Sequence, residues 1–443
     1  MLTPMTIGQQ LPIVRKCGVG GCVMTGEISS HIFQRSADNI VIWTLPIIGA
    51  VLWAIIKLIG AQLLRLRDFW TSRTRALTAV ARKSTPNGPQ EGSGVWTLSP
   101  VTPPENYKTS VQNARILSIV NLKGGVGKTT IAANVAAHLG NHPSWRKRVL
   151  LVDLDYQGSL SSMAFPDDIS WIPTAGTDSI VTRAISGDLE PNLFVAACKE
   201  IRQEPRVRVA TAYYDLAQAE NRLLIEWLLN VHRTDDRSWG RWISDLFIGK
   251  IYQANEMRFN LARLLHSQSV QDAFDLIIID CPPRLTAGTI QALCASSHVL
   301  IPTILDKPSG ESVVSFCDQL EIMRKAGLCP FIRHIGVVAT RYDDKLNVTG
   351  ETIKEIRDDL QARKFRCGFV PQMTFIPNTV RLVRRADEGI AYFSLAPDAS
   401  PYPKRAIGKL ARHIANQVGV PPAQPFDDEL DDNQQLSLPV AAE

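Results

Sequence analysis

The stretch "NLKGGVGKTT", Asn121 to Thr130, decides how this chain is read. Before it runs "RILSIV", Arg115 to Val120, a short apolar segment with branched residues, suited to a buried strand. After it, "TTIAANVAAHLG" continues in helix formers and ends at Gly140, the residue type expected just past a helix C-terminus. Strand, glycine-rich loop and helix in that order are the setting of a phosphate-binding loop. Gly124, Gly125 and Gly127, with Val126 among them, let backbone N–H groups converge on phosphate, and the helix N-terminus adds the positive end of its dipole. Lys128 is placed to reach the β- and γ-phosphates as a point charge, Thr129 to offer its hydroxyl to Mg²⁺, and Thr130 completes the motif. One lysine suffices for such a loop, so Lys123 is left without a role.

Two further runs supply acidic groups. "RVLLVDLDYQG", Arg148 to Gly158, reads as a buried strand ending in Asp153 and Asp155, and "DLIIIDCPP", Asp275 to Pro283, as another ending in Asp280. Open α/β sheets gather their chemistry at the carboxyl ends of strands, so all three carboxylates are expected to face the loop. Asp280 and Asp153 join Thr129 as the metal-site residues, with Asp280 placed to hold a Mg²⁺-bound water. Asp155 is placed to orient or deprotonate an attacking water. A single aspartate at a strand end is as often a cap; three in this order after a phosphate loop favour a site.

The chain has 443 residues, 45% hydrophobic and 21% charged, which fits one large α/β domain with additional segments and excludes a disordered protein. A formal charge of +5 is too small by itself to argue for nucleic-acid binding. Eight cysteines are scattered, and Cys17 and Cys22, flanking "GVGG", provide only two thiols of a tetrahedral site, so ordinary reduced thiols in a cytosolic compartment are expected.

"IVIWTLPIIGAVLWAII", Ile40 to Ile56, carries no charge, and beyond Lys57 the apolar run continues to Leu64. That length matches the roughly 20 residues needed to cross a hydrocarbon core, provided Lys57 snorkels to the headgroups. Arg65, Arg67, Arg73, Arg75, Arg82 and Lys83 follow it, against Arg15, Lys16 and Arg35 before it, which places the C-terminal side in the cytoplasm. A single membrane span over 40–64, N-terminus out and attached to the inner membrane, is the favoured reading; a hydrophobic docking helix and a signal peptide are the others. The expected organisation is an N-terminal segment (1–38), a membrane-helix candidate (39–64), a basic and then Pro/Gly/Ser-rich linker (65–113), a nucleotide-binding domain (114–420) enlarged around 228–255, and an acidic tail (421–443).

"KGGVGKTT" followed by "VDLDYQG" and "IIIDCPP" resembles the deviant Walker ATPases of the ParA/MinD family, over roughly Arg115 to Val420. The resemblance implies a doubly wound, mostly parallel sheet flanked by helices, the fold of P-loop NTPases, with ATP and Mg²⁺ as ligands. It also implies a role for Lys123: in an ATP-bound homodimer this lysine crosses the interface to the phosphates held by the other copy, much as an arginine finger does. By the same likeness Pro377 and Asn378, in "FIPNTVRLVRRADEGI", line the adenine base, and a partner protein, ParB-like or a cargo adaptor, stimulates hydrolysis. The second motif departs from the family, since Tyr156 stands where a proline is usual, which puts the hydrolysis rate in question. Cys281, directly after Asp280, is badly placed for a dimer-bridging iron–sulfur cluster, and none is expected.

ParA-like proteins bind duplex DNA without sequence preference, which needs only cations facing phosphates. Arg381, Arg384, Arg385, Lys404, Arg405, Lys409 and Arg412 form a basic C-terminal group, and on a helix Arg405, Lys409 and Arg412 share a face. The function expected is a Mg²⁺-ATPase switch for partition or cargo positioning. The alternatives are a membrane-associated nucleotide-binding tether with little turnover, hinted at by Tyr156, and a tyrosine-kinase-like ATPase of polysaccharide export. The latter fits poorly, because the last tyrosine is Tyr402 and no C-terminal tyrosine cluster follows.

Overall fold

A computed structural model describes residues 49–64, 67, 95–97, 101, 103–104, 107, 113–230, 256–342, 347–377, 389–395 and 401–424. The chain divides into two units, Met1–Ala76 and Leu77–Glu443. In the second, seven strands form one sheet: β1 (Arg115–Ile119), β2 (Val149–Asp153), β3 (Lys199–Ile201), β4 (Glu204–Ala210), β5 (Leu276–Asp280), β6 (His298–Ile304) and β7 (Arg333–Thr340). Their spatial order is β3-β4-β2-β5-β1-β6-β7. Every neighbouring pair is parallel except β3 with β4. The mostly parallel α/β sheet expected from the sequence is therefore present.

The central strands read as unbroken apolar runs because helices cover both faces of the sheet. Side chains alternate across it: Ile116, Leu150 and Ile277 enter one core, whereas Leu117, Leu151 and Ile278 enter the other. The long helices are α1 (Lys128–Asn141), α2 (Asp215–Asn230), α3 (Ala287–Ala295), α4 (Lys307–Lys325), α5 (Asn347–Ala362) and α6 (Pro401–Val418). Helices α1 and α6 pack in the Leu117 core, α3 and α4 in the Ile116 core.

Gly140 differs from expectation. It lies inside α1, whose C-cap is His142. A Cβ on Gly140 would sit 2.7 Å from Val207 Cγ2, so the glycine permits close approach of α1 to β4 instead of ending the helix. The described parts of the Pro/Gly/Ser-rich stretch also pack: Trp96 is buried, its Nε1 donates to Leu285 O at 3.2 Å, and the Tyr107 hydroxyl donates to Cys294 O at 2.6 Å.

The expected membrane span finds no support among the described residues. Among the described residues no helix is long and apolar enough to cross a membrane. Residues 49–64 are helical. Lys57 Nζ lies 4.2 Å from the centroid of the Trp53 ring. Residues 40–48 of the expected span lie outside the described residues, as do Trp239, Trp242 and most of the enlarged 228–255 region.

Candidate nucleotide site

The register of the central strands assembles the site. Ile119, at the end of β1, pairs with Asp280, and Asp153 pairs with the same Asp280 from the other side. The loop leaving β1 and the acidic strand ends therefore share one edge of the sheet. Gly125 and Gly127 adopt φ of 72° and 81°, a region that favours glycine, and Gly127 caps α1. Thr340, ending β7, donates from its hydroxyl to Val126 O at 3.0 Å and packs 3.4 Å from where a Gly127 Cβ would stand.

Lys128 is 8% exposed, and its Nζ donates to Lys123 O at 3.1 Å, so the ammonium sits inside the curl of the loop. Burial lowers its pKa, against the pull of Asp280. Asp280 is buried, and neither carboxylate oxygen has a well-formed hydrogen bond. Burial pushes its pKa far above the usual carboxylate range, and the neighbouring Asp153 adds to this; Thr129 and Lys128 oppose the shift without cancelling it.

Asp153 is equally buried but fully engaged. Its Oδ1 accepts from Asp155 N at 3.1 Å, and its Oδ2 accepts from Ser161 N at 2.9 Å and Ser161 Oγ at 2.8 Å. Burial still raises its pKa to about 7. Its visible work is to fix the turn that carries Asp155, which is half-buried and accepts from Gln157 N at 3.1 Å. Tyr156 stands near Tyr214, ring centroids 6.3 Å apart, with the Arg284 guanidinium 5.8 Å from its own ring centroid.

Lys123 points away from Lys128. Its Nζ donates to Asp306 Oδ1 at 2.9 Å, Asp306 Oδ2 at 3.2 Å and Ser309 Oγ at 2.7 Å. Asp306 is the N-cap of α4 and accepts from Ser309 N. Burial alone would raise the Asp306 pKa, but the Ser309 hydroxyl and Lys123 hold it below the usual range. Buried Asn121 braces this arrangement, its Oδ1 accepting from Lys123 N at 3.0 Å and Ser312 Oγ at 2.8 Å.

Pro377 is buried and bridges to Tyr342 just beyond β7. Asn378, Arg381, Arg384 and Arg385 lie outside the described residues. On α6, Lys409 is exposed, whereas the Lys404 ammonium lies 4.8 Å from the centroid of the Tyr392 ring. Reasoning from sequence missed Asp306, Ser309, Asn121, Thr340 and Glu220. Asp306 and Ser309 carry a legible sign, a capping pair at i and i+3 ahead of a helix. Glu220, which accepts from Gly288 N at 2.9 Å, carries none.

Known proteins resemble this chain in sequence and fold. Residues 117–391 match the model of the CobQ/CobB/MinD/ParA nucleotide binding domain. The chromosome partitioning protein ParA of Myxococcus xanthus is 30% identical over 268 residues, covering 60% of this chain and 77% of that protein. The sporulation initiation inhibitor protein Soj of Bacillus subtilis is 30% identical over 275 residues, covering 62% of this chain and 88% of that protein. An ATP complex of McdA from Cyanothece has a similar fold, with TM-score 0.50 at 17% identity, covering 69% of this chain and 98% of that one. The chain belongs to the CobQ/CobB/MinD/ParA nucleotide-binding-domain family.

Proposed function

We propose that this chain is a Mg²⁺-dependent ATPase whose bound nucleotide decides whether two copies pair, acting in partition of DNA or positioning of another cargo. The observation that carries the reading is the division of labour between two lysines: Lys128 bonded within its own loop, Lys123 bonded to Asp306 and Ser309 at the start of α4.

The residues fit a metal–triphosphate. Asp280 is a buried carboxylate whose oxygens make no well-formed hydrogen bond although the Thr129 side chain lies beside them, an arrangement that burial penalises unless a cation or donor completes it. Thr129 and Asp280 would hold Mg²⁺, Asp280 through a water; Asp153, with both oxygens already engaged, is better suited to support. Mg²⁺, when bound, neutralises charge on the β- and γ-phosphoryl oxygens. Backbone N–H groups of Gly124 to Thr130 orient the triphosphate, and Lys128 exchanges its bond to Lys123 O for phosphate. Asp155 orients the attacking water or accepts its proton.

The Lys123–Asp306 pair is partly exposed, with side chains 31% and 44% accessible. Pairs of this kind contribute about 0.2–1 kcal/mol, so a triphosphate presented by a second copy can outcompete it. Lys128→Ala is expected to abolish ATP binding by calorimetry. Asp155→Ala is expected to bind ATP and accumulate as dimer in size-exclusion chromatography with light scattering. A monomeric, ATP-bound Asp155→Ala would contradict the reading.

A nucleotide-binding tether with little turnover is the second reading, favoured by the aromatic packing of Tyr156 where relatives carry proline. Steady-state phosphate release near the detection limit for the wild-type chain would select it. We further propose that α6 contributes to non-specific DNA binding through Arg405, Lys409 and Arg412. With ATP, the chain should retard plasmid DNA at about 50 mM salt and lose this at higher salt; no retardation at low salt would retire the idea.

A further inference from the structure

Outside the nucleotide site, three side chains from three elements converge on the β7 edge of the sheet. Cys317 lies on α4, His334 on β7, and Cys367 in the segment that follows α5. Their donor atoms all lie within 4.8 Å of one another. Cys317 is 1% exposed and Cys367 9% exposed, and His334 Nδ1 is buried without a hydrogen-bond partner.

The backbone holds these groups together. Val337 N donates to Gly368 O at 2.8 Å and Val370 N donates to Val337 O at 3.0 Å, stitching the Cys367 segment alongside β7. Gly336 makes the approach possible: at φ 143° it carries no Cβ, and one there would stand 2.7 Å from Gly368 O.

We propose that Cys317, His334 and Cys367 bind a divalent metal ion of zinc type. Zinc takes sulfur at about 2.3 Å and imidazole nitrogen at about 2.0–2.1 Å in a tetrahedron, so its ligand atoms stand roughly 3.5–3.8 Å apart. Small rotamer adjustments close the present triad to that size. Two thiolates and a neutral imidazole carry a divalent ion as a net-neutral unit, which a buried position tolerates. Metal binding also gives buried His334 Nδ1, which has no well-formed hydrogen bond and only the Cys367 thiol beside it, a strong partner that a disulfide between the two cysteines would not supply. A cavity of about 420 Å³, lined by Arg357, Gln361, Cys367, Gly368 and Phe369 among others, adjoins Cys367. It offers an entry path and a water for the fourth position. By linking α4 and the segment after α5 to β7, the ion acts as a staple across the sheet edge.

The test uses the full chain, stripped with chelator under reducing conditions and titrated with Co²⁺ and then Zn²⁺. A single equivalent of Co²⁺ should give a sulfur-to-cobalt charge-transfer band and d–d absorption of tetrahedral intensity, both bleached by Zn²⁺. Cys317→Ser with Cys367→Ser should lose both bands, His334→Ala should weaken binding at least about tenfold, and Cys198→Ser should retain them. Should the double variant not fold, alkylation mapping on the wild-type chain decides: Zn²⁺ should protect Cys317 and Cys367 and leave the protection of Cys198 unchanged. Bands that survive in a folded double variant, no bands in the folded wild-type chain, no Zn²⁺ protection, or a Cys317–Cys367 disulfide in freshly isolated protein would each overturn the proposal.

Discussion

Asp280 concentrates the electrostatics of the site, because two buried carboxyls, Asp153 and Asp280, share one strand-end pairing. A carboxyl whose pKa is higher folded than unfolded binds its proton more tightly in the native state. Its stabilising contribution is complete below the unfolded value and is lost as pH rises through the folded one. For Asp153 that window runs from about pH 4 to about 7, and Asp280 acts in the same direction. The nucleotide-free chain should therefore lose thermal stability as pH rises across this window, and Mg²⁺–ATP should reverse part of the loss by demanding the ionised form. Asp280→Asn removes the cost of holding a proton on a buried carboxyl above its unfolded pKa, and should stabilise the nucleotide-free chain by about 1–2 kcal/mol near pH 7.5 while Mg²⁺-dependent turnover falls to background. A lower melting temperature for Asp280→Asn at that pH would show that the carboxylate already has a stabilising partner.

At the scale of elements, α1 packs so closely on β4 that a single methyl decides the fit. Gly140→Ala gains about 1 kcal/mol of helix propensity but drives a Cβ to 2.7 Å from Val207 Cγ2 and 3.0 Å from Glu204 Cγ, and overpacking of this kind costs about 1–3 kcal/mol. The variant should melt lower in a thermal scan; an unchanged or raised melting temperature would return Gly140 to the role of an ordinary helix-end residue. This glycine also marks where reading the sequence ran out. A glycine near a helix end looks the same whether it caps the helix or admits a neighbour, and only the distant Val207 separates the two. The strands β1, β2 and β5 were legible because burial on both faces leaves a continuous apolar run bounded by charge. The loop was legible because phosphate chemistry demands glycine, lysine and threonine in a fixed order. Cys317, His334 and Cys367 meet only through the fold, so their spacing along the chain carries no sign of them; Asp306 and Ser309 show their capping relation in the sequence, but not that Lys123 reaches them.

For the whole molecule, the position of Lys123 links the nucleotide edge to helix α4. In a single copy this lysine is satisfied by Asp306 and Ser309, two residues of the turn that opens α4. Nothing about phosphate binding by Lys128 requires that arrangement, and a loop serving one copy alone would work without the second lysine. In the proposed pairing the ammonium would leave an ion pair of small worth for a triphosphate whose charge grows during transfer of the γ-phosphoryl group. Sedimentation velocity of the Lys123→Ala chain with a non-hydrolysable ATP analogue, beside wild type, measures this most directly. The expected result is that Lys123→Ala binds the analogue and stays monomeric while wild type dimerises; a Lys123→Ala dimer of wild-type strength would show that the lysine does not act across the pair.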